Sequence, residues 1–224
     1  NARVDAIITL QGEVSIFDTE HYQFITLPKC CFFPFTRQGA TKVILEAGTK
    51  LLNIKFYPHV LSASCFQDMS FEKAIDFGEV FGDNASDQAL ITLDSAKVID
   101  EMKTILDSFL DIHLLDNHSN NPLLKETITF IEEGATQELA IEGLAKKAGI
   151  SLKTLERNFK SYTGLTIKMY HDLIRFQKTA RQINANGTYH HGDLLEALGS
   201  GYYDQSHFVK ACRKLTGLSP KQLF

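Results

Sequence analysis

Apolar positions along this chain follow two rhythms, and the change comes near residue 94. Before it, apolar and polar residues partly alternate in short runs closed by turn residues, a period-two pattern that places one side of a strand in a core. Val4–Leu10, Glu20–Leu27, Thr41–Leu45 and Lys50–Phe56 read as strands, with Gln11-Gly12-Glu13 as a turn. Pro28, Pro34, Gly39, Gly48 and Pro58 punctuate them. Runs of this length and spacing predict a small antiparallel sheet or partial barrel. Residues 59–93 keep neither rhythm. From 94 to 113 the period becomes helical: Val98, Met102, Ile105, Phe109 and Ile112 form a stripe that Ile99, Leu106, Leu110 and His113 widen. Such a stripe is expected to pack on the helix's own sheet.

A polar, short-sided segment, Asp116-Asn-His-Ser-Asn-Asn-Pro122, then interrupts both patterns and reads as a linker. Beyond it, Leu124, Ile128 and Ile131 share one face of a helix expected over Leu123–Glu133, which Gly134 ends. The predicted class is α+β: a β-rich domain with helices over 1–115, a linker over 116–122, and an all-α domain over 123–224.

Within the second domain one pattern occurs twice. Ile141-Glu-Gly-Leu-Ala145-Lys-Lys-Ala-Gly149-Ile-Ser151 leads into Leu155, Phe159 and Thr163-Gly164-Leu165-Thr166. Leu195-Glu-Ala197-Leu-Gly-Ser-Gly201-Tyr-Tyr-Asp204 leads into Phe208, Cys212 and Thr216-Gly217-Leu218-Ser219-Pro220. In each, a small Ala allows a close helix crossing, and a Gly four residues later suits a turn at positive φ. Ser151 or Asp204 then caps the next helix. This is the arithmetic of a helix-turn-helix. The outer face of the second helix is left to Lys153, Thr154, Glu156, Arg157 and Lys160 in the first copy, and to Gln205, Ser206, His207, Lys210 and Arg213 in the second. Hydrogen-bonding side chains at helical spacing are what base-edge reading in a major groove requires. Between the copies, Thr166–Ile183 reads as one helix, with Ile167, Tyr170, Ile174, Phe176 and Ile183 apolar. Some 18 helical residues span roughly 27 Å, enough to set two recognition helices about one DNA turn apart. A polar loop, 184–192, follows.

The Gly-Tyr-Tyr-Asp-Gln-Ser-His-Phe run at 201–208, the Gly-Leu-Ser-Pro at 217–220 and the doubling itself resemble the paired helix-turn-helix domain of AraC/XylS-type transcriptional regulators. The likeness covers about the last hundred residues. More loosely, the strands and the run Gly48-Thr-Lys-Leu-Leu-Asn-Ile-Lys-Phe-Tyr-Pro58 resemble the cupin-like sensory half of such proteins. The resemblance implies a ligand-responsive, cytoplasmic activator that binds double-stranded promoter DNA and RNA polymerase. It also implies a homodimer, formed through the 94–113 helix, and a small-molecule effector. Two departures stand out. Aligning Ala145 with Ala197 sets Leu144 against Glu196 and Ile141 against Asp193, so the second unit's first helix reads one residue short. Cys212 stands where the family has a bulky aromatic.

Arg157 is the leading base-reading candidate, by bidentate pairing with guanine or by a phosphate contact; a solvated surface charge is the alternative. Glu156 either accepts from a cytosine amino group or pairs with Lys160 one turn on. His207 serves packing, a phosphate or a base. Lys160, Arg213 and Lys214 suit phosphates.

Charge is divided unevenly: 14 Lys and Arg against 10 Asp and Glu over 122–224, but 9 against 17 over 1–121. A basic half joined to an acidic half fits a DNA-binding domain beside one that does not touch DNA. Four cysteines, with Cys30 and Cys31 adjacent, form no disulfide framework and point to a reducing compartment. The vicinal pair reads as buried small hydrophobes rather than a redox sensor. No apolar run approaches a membrane span, and the first residues do not read as a signal peptide. Because the chain opens almost directly on a strand, further residues are expected ahead of Asn1, and trimming is expected after Pro220. His190-His191, His21 and His59 lack metal-ligand spacing, and no nucleophile elbow, phosphate loop or acid pair is present, so no metal, cofactor or catalysis is expected. The rival readings are a cupin-like small-molecule binder or enzyme with a helical appendage, and a protein–protein adaptor whose helix-turn-helix units no longer read DNA.

Overall fold

The computed structural model describes residues 4–18, 21–33, 42–57, 74–114, 121–133, 138–185 and 202–224. They fall into two compact units, divided before Pro122.

Among its described residues the first unit contains seven strands: β1 (Val4–Gln11), β2 (Val14–Asp18), β3 (Gln23–Thr26), β4 (Cys30–Phe33), β5 (Val43–Leu45), β6 (Lys50–Phe56) and β7 (Ile75–Asp76). Three helices follow: α1 (Phe77–Phe81), α2 (Ala85–Asp94) and α3 (Ile99–Leu114). The strands form two antiparallel sheets, ordered β6-β1-β4-β7 and β3-β2-β5. The turn after β1 needs Gly12 twice over: its φ is +77°, and a Cβ there would stand 2.5 Å from Thr49 Oγ1.

Alternation along β1 and β4 divides the interior. Val4, Ala6, Ile8, Cys30 and Phe32 face a core shared with Phe77, Ala85, Ala89 and Leu93 from the helices. Cys31 faces the other way, joining Val14, Ile16 and Leu27 in a core that Ile7, Phe33 and Leu51 flank. The four-stranded sheet is thus covered on both faces. This is why Cys30–Phe33 was not legible as a strand: burial on both sides erases the polar beat that marks a half-buried one. Strand β2 also went unrecognised. The expected strand Glu20–Leu27 contracts to Gln23–Thr26 because Tyr22 adopts φ +54°, a turn conformation.

The stretch without rhythm resolves, over its described part, into β7, α1 and α2. Asp76 caps α1 in a capping box with Glu79. The helix expected over 94–113 begins only at Ile99, since Asp94 closes α2. Met102, Ile105, Leu106, Phe109 and Leu110 pack on the core, whereas Val98, Ile99 and Ile112 at the ends of the stripe are exposed.

The second unit is all α among its described residues: α4 (Pro122–Glu132), α5 (Glu138–Lys147), α6 (Leu152–Thr163), α7 (Ile167–Ala185), α8 (Gln205–Thr216) and α9 (Pro220–Leu223). Leu124, Ile128 and Ile131 of α4 are buried, as the sequence pattern requires. Tyr170 of α7 is fully buried and donates its hydroxyl to Glu132 Oε1 at 2.7 Å, while Lys178 donates to the Glu132 carbonyl, so α4 is tied to α7 at two points. The loop 186–192 and the second copy's first helix, where one residue is expected to be missing, lie outside the described residues, as does the linker apart from its last two residues.

Candidate nucleic-acid interface

The first helix-turn-helix is α5, the turn 148–150 and α6. Ile141, Leu144 and Ala145 are buried, and the turn closes with the N–H of Ile150 donating to the Ala145 carbonyl at 3.0 Å and that of Gly149 to Lys146 at 3.0 Å. Gly149 sits at φ +69° with nothing within 4 Å of its missing Cβ, so glycine serves backbone conformation there rather than space. Ser151 caps α6, its Oγ accepting from the Thr154 N–H at 3.1 Å. Leu155, Phe159 and Thr163 point inward, with Phe159 edge-on to Tyr170 at 5.5 Å. Lys153, Glu156, Arg157 and Lys160 are exposed on the opposite face. Thr154 is half-buried and its hydroxyl meets that of Ser151 at 2.9 Å, so it belongs to the cap as much as to the outer face.

The second copy repeats this grammar with other letters. Asp204 Oδ1 accepts from the His207 N–H at 2.7 Å, capping α8. Phe208 and Cys212 are fully buried. Ser206, His207, Lys210 and Arg213 are exposed, and Gln205 is half-buried. His207 also meets Tyr202 ring to ring at 5.2 Å, so it packs even while it faces outward. Both copies end identically. Thr163 Oγ1 donates to the Phe159 carbonyl at 2.8 Å and accepts from the Leu165 N–H at 3.1 Å; Thr216 Oγ1 donates to the Cys212 carbonyl at 2.8 Å and accepts from the Leu218 N–H at 3.1 Å. Gly164 and Gly217 follow at φ +69° and +75°. Where Cys212 replaces a bulky aromatic, the cluster also holds Phe176 and Phe224, each stacked on Phe208, at 6.1 and 6.4 Å.

Three cations of this unit stand in ion pairs among the described residues. Lys147 pairs with Glu126 at 2.6 Å, Arg175 with Asp172 at 2.9 Å, and Lys214 with Asp172 at 3.8 Å. Lys153, Arg157, Lys160, Lys210 and Arg213, all on the outer faces of α6 and α8, enter no ion pair among the described residues. Glu156 and Lys160 form none either. Lys214, expected among the phosphate contacts, keeps its side chain 58% exposed while approaching Asp172.

Sequence reasoning missed the group that seats α8 on α7. The Arg175 guanidinium lies 4.6 Å from the centre of the Tyr202 ring while pairing with Asp172, which also approaches Lys214 on α8. Burial pushes the Tyr202 phenol up to about 12 despite the guanidinium beside it. Burial also lowers the His171 pKa, with Arg175 adding to the effect. Only the Asp172–Arg175 spacing was visible in the sequence. Among the described residues no group of three or more His, Cys, Asp or Glu is placed to hold a metal ion. Cys30 and Cys31 are fully buried, and burial pushes both thiols up to about 12. No helix among the described residues is long and apolar enough to cross a membrane.

Among the described residues, one complete helix-turn-helix and a second capped helix closed by the same threonine–glycine exit follow one another, joined by α7. A helix-turn-helix domain model matches residues 144–224. Over 111 residues the chain is 29% identical to the HTH-type transcriptional activator RhaS of Salmonella schwarzengrund (strain CVM19633), covering 49% of this chain and 39% of that protein. With RhaS of Escherichia fergusonii it shares 28% over 113 residues, at 49% and 39% coverage. The match spans about two fifths of these relatives' length. Among solved structures, ToxT from Vibrio cholerae superposes with a TM-score of 0.55 at 8% identity, covering 100% of this chain and 90% of ToxT. An unsaturated fatty acid-bound ToxT gives 0.52 at 9% identity, covering 99% and 87%. At such identities the likeness speaks for the fold. The chain is accordingly similar, in its C-terminal part, to helix-turn-helix transcriptional activators, and its fold, a β-bearing unit followed by a helical one, is like that of ToxT.

Proposed function

We propose that this chain is a sequence-specific DNA-binding transcriptional regulator that lays α6 and α8 in successive major grooves of promoter DNA. The observation that carries this reading is the set of exposed cations on the outer faces of α6 and α8, Lys153, Arg157, Lys160, Lys210 and Arg213, which enter no ion pair among the described residues. Nineteen residues of α7 span about 28 Å, which suits half-sites about one turn apart. Arg157 reads a base, most readily guanine; Lys153, Thr154 and Glu156 flank it, and Gln205, Ser206, His207 and Lys210 do the corresponding work in α8. Lys160 and Arg213 hold phosphates. Residues 123–224 form the DNA-binding domain, 116–122 the linker and 1–115 a sensory and self-association domain. The relatives' description as transcriptional activators supports contact with RNA polymerase in the cytoplasm, and the fatty acid-bound ToxT supports response to a small molecule; a homodimer belongs to the same reading. An effector would act by changing which half-sites two subunits reach together.

The test is retention of genomic DNA fragments by the full chain, followed by sequencing. A motif with two half-sites about one turn apart is expected. Absence of enrichment at low salt, from protein shown to be folded, would favour an adaptor instead.

A further inference from the structure

The sheet-bearing unit contains a hollow that none of these roles uses. It lies between α2 and α3, is half open, and holds about 400 Å3. Leu93, Leu106 and Phe109 form much of its floor, Thr104 and Ser108 stand on its rim, and His113 closes one end, its ring 4.3 Å from that of Phe109. No Lys, Arg, Asp or Glu lines it.

The hydroxyls on the rim are already committed as donors. Thr104 Oγ1 donates to the Asp100 carbonyl at 3.0 Å, Ser108 Oγ to Thr104 at 3.0 Å, and Thr92 Oγ1 to Gln88 at 2.6 Å. Each hydroxyl oxygen can still accept, and the Gln88 amide adds a group that donates or accepts, so a few polar partners stand above a hydrocarbon floor. An adjoining open hollow shares Thr104 and Ile105 and adds Asp100 and Glu101 against one cation, Lys97. A carboxylate or phosphate entering here would lose its hydration with no fixed positive charge to replace it. The volume falls at the small end of the usual range for ligand sites, about 300–1,000 Å3.

We propose that the α2–α3 hollow binds an uncharged, largely hydrocarbon small molecule that carries one hydrogen-bonding group. The site stands independently of the DNA-binding reading.

The probe is N-phenyl-1-naphthylamine, an uncharged pair of aromatic groups with one N–H, whose emission rises in a dry site. Titrated into the full chain, it is expected to bind saturably at one site per chain. Its sulfonated counterpart, 1-anilinonaphthalene-8-sulfonate, has the same skeleton plus a negative charge and is expected to bind at least tenfold more weakly. Ser108→Trp and Thr104→Trp, at exposed rim positions, should each weaken the amine at least tenfold while leaving the circular dichroism spectrum unchanged. Ile91→Trp, on α2 but outside the hollow, controls for a general surface effect and should leave binding intact. Equal binding of the sulfonate, or wild-type affinity in both rim variants, overturns the assignment. So does affinity that falls as protein concentration rises, because the hollow would then be the seat of a second copy. No DNA enters these measurements, so their failure and that of the regulator reading are read separately.

Discussion

At Gly149 the side chain is absent for the sake of one torsion. An alanine there meets no atom, yet must hold φ near +69°, a left-handed conformation that costs an L-residue about 1 kcal/mol or more. Gly149→Ala is expected to lower stability by about that amount, measured by urea denaturation. Arg157 is the opposite case, a residue with no role in packing. Arg157→Ala should leave denaturation unchanged while weakening one half-site by about 1–3 kcal/mol and relaxing its sequence preference. Lys160→Ala should weaken all sequences alike. The cysteines make a third prediction. Burial pushes the Cys30 and Cys31 thiols up to about 12 in the folded chain, whereas unfolded thiols ionise near 9.0. The unfolded state therefore releases protons first. Their contribution to stability is complete below pH 9 and declines as pH rises from there towards 12. Thiol-specific labelling at pH 8 should be slow in native protein and fast after denaturation, and rapid native labelling would contradict their burial.

Elements differ in how plainly they announce themselves. The recognition helices were legible because caps, turns and exits are local: Ser151, Gly149 and Thr163-Gly164 each act within a few residues, and the second copy repeats the message. Strand β1 was legible because Val4, Ala6 and Ile8 face a core at strict alternation. Helix α2 was not, since its inward face is Ala85, Ala89 and Leu93, and two alanines give little hydrophobic signal. Nor was β4, where both faces are inside. The seating of α8 was hidden for another reason, that Tyr202, Arg175 and Lys214 meet only once the chain has folded. Arg175→Ala removes the cation over Tyr202 and leaves Asp172 with only the longer approaches of Lys214 and His171. It should loosen α8 against α7 and reduce nuclease protection at the half-site read by α8 more than at the other. Equal loss at both would argue against this local role.

Over the whole molecule, the unpaired cations set a measurable scale. If Lys153, Arg157, Lys160, Lys210 and Arg213 all neutralised phosphates, the logarithm of affinity would fall against that of salt concentration with a slope of about −4 to −5. Base contacts by Arg157 would make it shallower. A slope near zero would remove the electrostatic basis of the proposal. The acidic N-terminal half, meanwhile, keeps the complete chain at a net charge of −4. Its attraction to DNA thus has to come from where cations are placed rather than from their number. The matched exits at Thr163 and Thr216 have a wider consequence. The frame is shared while the exposed letters differ, Lys153 to Arg157 in one unit and Gln205 to Lys210 in the other. On the proposed reading of DNA, one half of the address can therefore be rewritten by single substitutions without disturbing the other.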